Sequence, residues 1–470
     1  MAPTSAPTQR ELALLTSLLV ALLYFFSGTH PHASLPHNAS LTSADDDLPT
    51  SAHSSRLSWH NTGVVPHTKL ISHVPGWTTF DHLYMLNGTL YIVTDTPSVI
   101  PERRFIISTG RDIANGAEEV AARLPTDKEL KVIGSNEAKR LFGGGASRID
   151  GVTWFANDPK QFVTHYYHWA AELFFGFARA YASLDPLIPS SGTTRLPPPR
   201  RMIFTHLPAS HWRDYASMNQ YVLRTSFPSI AMEFNQDWAD RTQSLRPFVF
   251  DRVIIADRSA AMIGDNFGRT QRTAAEPQAL PGSPHWWNAY RNNIVEASGL
   301  ARDEAAGTLG KPVVTYISRQ GWGRRMLIQE DHDRLVEELY KLRDTYGWEV
   351  NVVTMDKMSR AEQLRLSGRT TIMLGVHGNG LTSLLWMKPT PRSTVMEFFF
   401  PGGFAHDYEY TTRALGMMHY GFWGDSAFTR PDVPPVAYPE GFQGNEIPID
   451  GALVARLIHE RLTLSDEADD

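Results

Sequence analysis

The chain has 470 residues, 42% of them hydrophobic and 20% charged, enough for two domains with real cores. Its formal net charge of −6 excludes the basic surplus expected of a nucleic-acid binder. With no cysteine, it can form no disulfide framework, zinc–cysteine site or thiol nucleophile.

Residues 1–11 read as a short cytosolic tail. Arg10 precedes an apolar run from Leu12 to Phe26. The run is shorter than the ~20 residues of a full span, but it suits the thinner membranes of the early secretory pathway. Segment 12–27 therefore reads as a signal anchor, with a cleaved signal peptide ending near His32-Ala33-Ser34 as the alternative. Residues 28–58 are rich in Ser, Thr, His, Pro and Asp without apolar periodicity, and read as a flexible stem. Asn38-Ala-Ser and Asn87-Gly-Thr are N-glycosylation sequons. Together these features predict a single-pass type II protein of the Golgi or endoplasmic reticulum membrane, with its body in the lumen.

Residues 59–300 read as an N-terminal lobe, the one that the resemblance described below puts on the acceptor side. Leu90–Val93 and Arg104–Ser108 are short β-rich pieces, and Gly151–Ala156 is a strand. His165 to Leu184 reads as a long buried helix, with His165, His168 and Glu172 at i, i+3 and i+7 on one face. Ionisable groups in so apolar a helix need a partner or a task. Three readings stand: a metal site, a structural hydrogen-bond network, or a catalytic or acceptor-binding face. Strands at Met202–Thr205 and Phe248–Ala256 alternate with helices at His211–Arg224 and Ser283–Gly299, which implies an α/β lobe. Ala301–Lys311 reads as a linker.

A second lobe, residues 312–445, begins with a strand at Val313–Ile317, followed by Ser318-Arg319 and, after a glycine-rich turn, Arg324-Arg325. A helix at Asp331–Tyr346, capped by the Asp331 region, leads to a strand at Trp348–Thr354 and a helix at Ser359–Leu366. Then comes a strand at Thr371–Leu374, a loop in which Gly375, Gly378 and Gly380 bracket His377 and Asn379, a short helix at Leu381–Met387 and a strand at Thr394–Phe400. The order is Rossmann-like. No G-x-G-x-x-G follows the first strand, which disfavours a dinucleotide. The glycine loop lies at a strand's C-terminal end and a helix N-terminus, where backbone N–H groups favour an anion. A tight structural turn is the plain alternative. Glu397, on the following strand, could accept the hydroxyls of a ribose or simply pair with a neighbour. Residues 446–464 form an amphipathic helix expected to pack across the lobes, and 465–470 an acidic tail.

Three stretches carry a resemblance. HGNGLTSLLWMKPTPRSTVMEFFF from His377, YYHWAAE from Tyr166, and the Ser318-Arg319…Arg324-Arg325 run resemble motifs of the family 61 glycosyltransferases, over roughly Phe155 to Tyr420. Asn379 departs from the family's usual Ala, and Ile328-Gln329 stand where the family often has Asn before an acidic residue. The resemblance implies a GT-B-like α/β architecture of two Rossmann-like lobes with a cleft between them, preceded by the membrane anchor. It implies inverting transfer of a xylose, arabinose or N-acetylglucosamine class sugar from a UDP-sugar to a glycan or glycoprotein hydroxyl, with no metal or other cofactor required. Ser318, Arg319, Arg324, Arg325, His377, Gly378, Asn379, Gly380 and Glu397 would bind the donor. Arginine forks neutralise the departing diphosphate. An inverting enzyme needs one general base, for which Glu172 and His168 are the candidates. Two other classes stand beside this: an inactive membrane-anchored glycan-binding protein of the same fold, and a glycan hydrolase using paired carboxylates.

Overall fold

The computed structural model describes residues 55–300 and 311–464, all within one compact unit. The apolar run Leu12–Phe26, the stem up to residue 54 with Asn38, the linker 301–310 and the tail 465–470 lie outside the described residues. Among those described, no helix is long and apolar enough to cross a membrane.

The architecture is mixed α/β, built on two sheets. The first holds β1 (Arg56–Ser58), β2 (Lys69–Val74), β3 (Trp77–Leu86), β4 (Thr89–Val93), β5 (Leu130–Ile133), β6 (Gly145–Ala156), β7 (Arg201–Phe204), β8 (Ala231–Glu233) and β9 (Phe248–Ala256). Its order is β5-β4-β3-β9-β6-β7-β8, with β1 on β6 and β2 on β3. β9, β6, β7 and β8 pair parallel, as do β4 and β5; β3 is antiparallel to both β9 and β4. This sheet is thus mixed, where the sequence predicts a second Rossmann-like lobe. Asn87 and Gly88 form the two-residue turn between β3 and β4, with φ of 51° and 79°. That suits a type I′ hairpin, in which both central residues need positive φ. Asn87 is exposed at its tip.

The second sheet holds β10 (Val313–Ile317), β11 (Glu349–Val353), β12 (Ile372–Val376), β13 (Thr394–Phe398), β14 (Met418–Trp423) and β15 (Ser426–Phe428), in the order β11-β10-β12-β13-β14-β15. The first five are parallel, and β15 is antiparallel to β14. β10, β12 and β13 are buried along their whole lengths, which is why they read as continuous apolar runs. The strand order reverses between β10 and β12. In doubly wound sheets ligands bind outside the carboxyl ends of the strands at such a switch point.

The C-terminal helix, Gly451–Leu462, does not cross the lobes. It packs Leu453, Val454, Ile458 and Leu462 with Leu335, Leu339 and Leu342 of the Gln329–Tyr346 helix. A Cβ on Gly451 would come within 2.7 Å of the Leu335 Cα, so the helices meet at their backbones. Asp331 does not cap the Gln329–Tyr346 helix. Ile328 occupies the N-cap, and the Asp331 carboxylate accepts from the Ile449 N–H at 3.1 Å. Arg103–Ile106 is a helical turn rather than the β-rich piece expected there.

One hydrophobic cluster joins the two sheets: Trp154, Phe174 and Trp287 from the first half pack with Met373, Trp386 and Val395 from the second. The Trp287 indole donates to the Leu385 carbonyl, the Trp386 indole to the Tyr166 hydroxyl, and Arg291 to the carbonyls of Met387 and Gly368. The halves therefore share a core along much of their contact.

Candidate active site

The switch point gathers two of the motifs. β10 ends in Ser318 and Arg319, and neighbouring β12 ends in His377 and Gly378. A Cβ on Gly378 would lie 2.6 Å from Arg319 Nη1, so the missing side chain lets the guanidinium lie against the loop. Gly380 and Gly375 similarly make room for Ile317, with built Cβ atoms 2.9 Å from its Cγ2 and its carbonyl oxygen respectively. These glycines serve packing between β10 and β12. The segment after them, Asn379–Trp386, is a 3₁₀ helix.

Arg319 and Arg325 are partly buried, and neither forms an ion pair with a carboxylate among the described residues. Arg319 donates only weakly to the Arg324 carbonyl, at 3.4 Å, and its buried Nε has no partner. Arg325 donates to Gln443 Oε1 at 2.8 Å and to the His377 carbonyl at 3.3 Å. Burial and mutual repulsion lower the pKa of Arg319; burial lowers that of Arg325. Arg324 is exposed beside them and adds its charge. Buried cations are normally paired, so convergent unpaired guanidiniums describe an anion site.

A cleft of about 200 Å³ opens next to Arg319, lined by Ser318, Trp322, Asp356, Asn379 and, from the first half, Tyr166 and Tyr215. Trp322 is 45% exposed and lies 5.8 Å from the Arg319 guanidinium. Ser318 shapes the turn, its hydroxyl accepting from the Gln320 N–H at 3.3 Å. Asn379 bridges the two halves: its carbonyl oxygen accepts from the Tyr167 N–H at 3.1 Å, and its amide donates to the Tyr215 hydroxyl at 2.8 Å.

Glu397 does not reach the cleft. It is fully buried, with Oε1 2.5 Å from His377 Nδ1 and Oε2 2.9 Å from His419 Nε2. A ribose has no free carboxylate oxygen to meet there. Burial raises the carboxyl's pKa well above its usual range and pushes His377 down to about 3 and His419 to about 4. The neutral forms fit the hydrogen-bond count. A protonated Oε1 donates to His377 Nδ1, leaving Nε2–H as that ring's donor, and Oε2 accepts from His419. His419 Nδ1, buried without a partner, is then a bare acceptor.

Across from this loop, His168–Phe174 forms a π-helical stretch that continues into the Phe175–Ala182 α-helix, and His165 precedes it at a bend. Glu172 is 1% exposed and accepts from His168 Nδ1 and from Arg258 Nη1, each at 2.7 Å, with Arg272 Nη1 at 3.8 Å. Burial opposes its ionisation, but Arg258 and His168 outweigh burial and hold it well below the usual carboxylate range. A carboxylate so enclosed is a poor base and cannot meet an acceptor. His168 keeps about a quarter of its side chain exposed. With Nδ1–H given to Glu172, its Nε2 is free to accept a proton. Among the described residues no three His, Asp or Glu side chains are grouped to hold a metal ion.

Arg258, Arg272 and Gln443 were missed in the sequence. Arg258 follows β9 and holds both Glu172 and Asp158, whose carboxyl is raised by burial to about 6. Arg272 binds Asp407 at 2.7 Å, tying the halves together beside His377. Gln443 holds Arg325. The available signal was positional: Asp257-Arg258 follows an apolar strand as Ser318-Arg319 does.

The model of glycosyltransferase 61 matches residues 157–396, just over half of the 470 residues. The chain belongs to glycosyltransferase family 61. No curated protein matches it. The family 61 match runs from the loop after β6 into β13, so it contains both the Glu172–His168 pair and the Arg319–His377 cluster. The chain is accordingly a glycosyltransferase, with a sugar donor and a glycan acceptor as its partners.

Proposed function

We propose that the chain is an inverting glycosyltransferase of GT-B-like arrangement. It transfers a sugar of the xylose, arabinose or N-acetylglucosamine class from a UDP-sugar to a glycan or glycoprotein hydroxyl. The observation that carries this reading is the pair of carboxylate-free guanidiniums, Arg319 and Arg325, at the carboxyl edge of the second sheet's switch point. Their forks suit a diphosphate, with Arg324 adding positive field and the His377 Nε2–H as a further donor. The acceptor oxygen attacks the anomeric carbon, the bond to the diphosphate oxygen breaks, and UDP leaves into the arginines. His168 takes the acceptor's proton. Glu172 orients the imidazole and stabilises its cation, as a buried carboxylate does behind a catalytic histidine. The arginines supply the leaving-group charge neutralisation that a metal provides elsewhere, so no cofactor is needed.

The test is single-turnover assay of the purified chain against a panel of UDP-sugars. His168→Ala should lower turnover by ~10²–10⁴-fold while UDP still binds. Normal turnover in that variant would remove His168 from the base role.

The apolar run Leu12–Phe26 and the stem support a lumenal body anchored as a type II protein in the Golgi or endoplasmic reticulum membrane, with Asn87 and Asn38 as glycan sites.

A further inference from the structure

Resting on the donor site above, we propose that Tyr438 and the loop that carries it form the platform for a sugar ring of the acceptor glycan. The loop is built to hold a side chain still. Ala437 and Phe404 exchange both backbone hydrogen bonds at 3.0 Å. Phe442 is buried, packed 5.3 Å from the His377 ring and 5.6 Å from the Arg325 guanidinium, and Gln443 accepts from Arg325. On this fixed frame Tyr438 is nevertheless 60% exposed, touching Phe442 edge-to-face at 5.1 Å. Leaving a rigid aromatic side chain in water forgoes its burial energy, which is recovered when a ligand with an apolar face covers it. The carbon–hydrogen face of a pyranose is such a ligand.

The surroundings complete a carbohydrate subsite. The Tyr438 hydroxyl lies beside the Arg272 guanidinium, which is paired with Asp407 and whose buried Nε has no protein partner. Tyr, Arg and Asp together offer donors and acceptors to ring hydroxyls. The Asp407 carbonyl accepts from the Tyr167 hydroxyl at 2.8 Å and Phe442 packs on the His377 ring, so this subsite lies between the base helix and the donor loop. Trp322 and Tyr215 are the exposed aromatics of the cleft beside Arg319, which Tyr438 does not line. The loop falls after residue 396, beyond the stretch the family model describes. That is the place for acceptor selectivity to vary while the donor chemistry is held.

Saturation-transfer NMR on the full chain with UDP tests this, using methyl α-mannoside, β-xyloside and β-galactoside as probes. At least one should show transfer to its ring protons in wild type. Tyr438→Ala should cut that signal at least fivefold, and Tyr438→Trp should keep it. UDP affinity by calorimetry should stay within twofold in both variants. Wild-type signal persisting in Tyr438→Ala would overturn the assignment, as would absence of transfer from all three probes in wild type. Tyr438-dependent transfer without any UDP binding would support the subsite and overturn the donor reading instead.

Discussion

Glu172 and Glu397 are both fully buried carboxyls beside a histidine, yet they sit in opposite electrical settings. Arg258 and His168 hold Glu172 ionised; burial holds Glu397 protonated between two neutral imidazoles. Substitution by glutamine should therefore separate them. Glu172→Gln leaves the buried Arg258 with Asp158 alone and should destabilise by about 3 kcal/mol. Because Glu172's folded pKa is depressed, its contribution is present above the unfolded value of ~4.3 and is lost as pH falls. The gap to wild type should be full at pH 7 and shrink below about pH 4. In Glu397→Gln the amide can donate to His377 and accept from His419. Glu397's folded pKa is raised, so its protonated form favours the fold at low pH and that advantage fades as pH rises. The glutamine variant should lie within about 1 kcal/mol of wild type at pH 5 and gain relative to it towards pH 8. Chemical denaturation across pH checks both; a large loss in Glu397→Gln would show that the carboxyl is ionised after all.

At the scale of elements, the glycine loop is a bridge as well as a donor contact. Asn379 stands where the family usually has Ala and links Tyr167 to Tyr215 across the halves. Asn379→Ala should cost about 1 kcal/mol in stability and leave donor affinity nearly unchanged; a tenfold loss of UDP affinity would place its amide on the donor. The second sheet was legible because its central strands are buried on both faces: Val313–Ile317 was read with its observed bounds and β12 and β13 within two residues, while the half-buried β11 was read within one. The arginines and His377 were legible because such motifs sit at strand ends. Other parts were not. His211–Arg224 reads as a helix by composition, but Asp214 takes the N–H groups of Ala216 and Asn219, and the helix starts only at Met218. The π-helical register of 168–174 has no compositional mark. Glu172 stands beside His168 as a candidate base in the sequence because its partner Arg258 lies 86 residues away, out of reach of any local pattern. Whether Glu397 meets a ribose or a neighbour stays open in the sequence for the same kind of reason. His419 faces it from β14 through sheet register, where Val395 pairs with His419 and Glu397 with Gly421, two positions along the same face.

On the scale of the whole molecule, a mixed sheet and a doubly wound sheet share one core, and residues of both halves line the cleft beside Arg319. The Asn87 sequon sits exposed on a hairpin tip, accessible to modification. Under the lumenal proposal, glycosidase treatment should shift the protein's gel mobility, and Asn87→Gln should reduce that shift; a cytosolic, unglycosylated protein would contradict it. The central claim is narrower: the diphosphate sits on Arg319 and Arg325. It is tested most directly by calorimetric titration of the full chain with UDP, for wild type, Arg319→Ala and Gly378→Ala. The account predicts binding to wild type and a loss of ~10–100-fold in Arg319→Ala. It predicts a comparable loss in Gly378→Ala, where Arg319 is intact but its place against the loop is taken by a methyl group. Wild-type UDP affinity in both variants would contradict it.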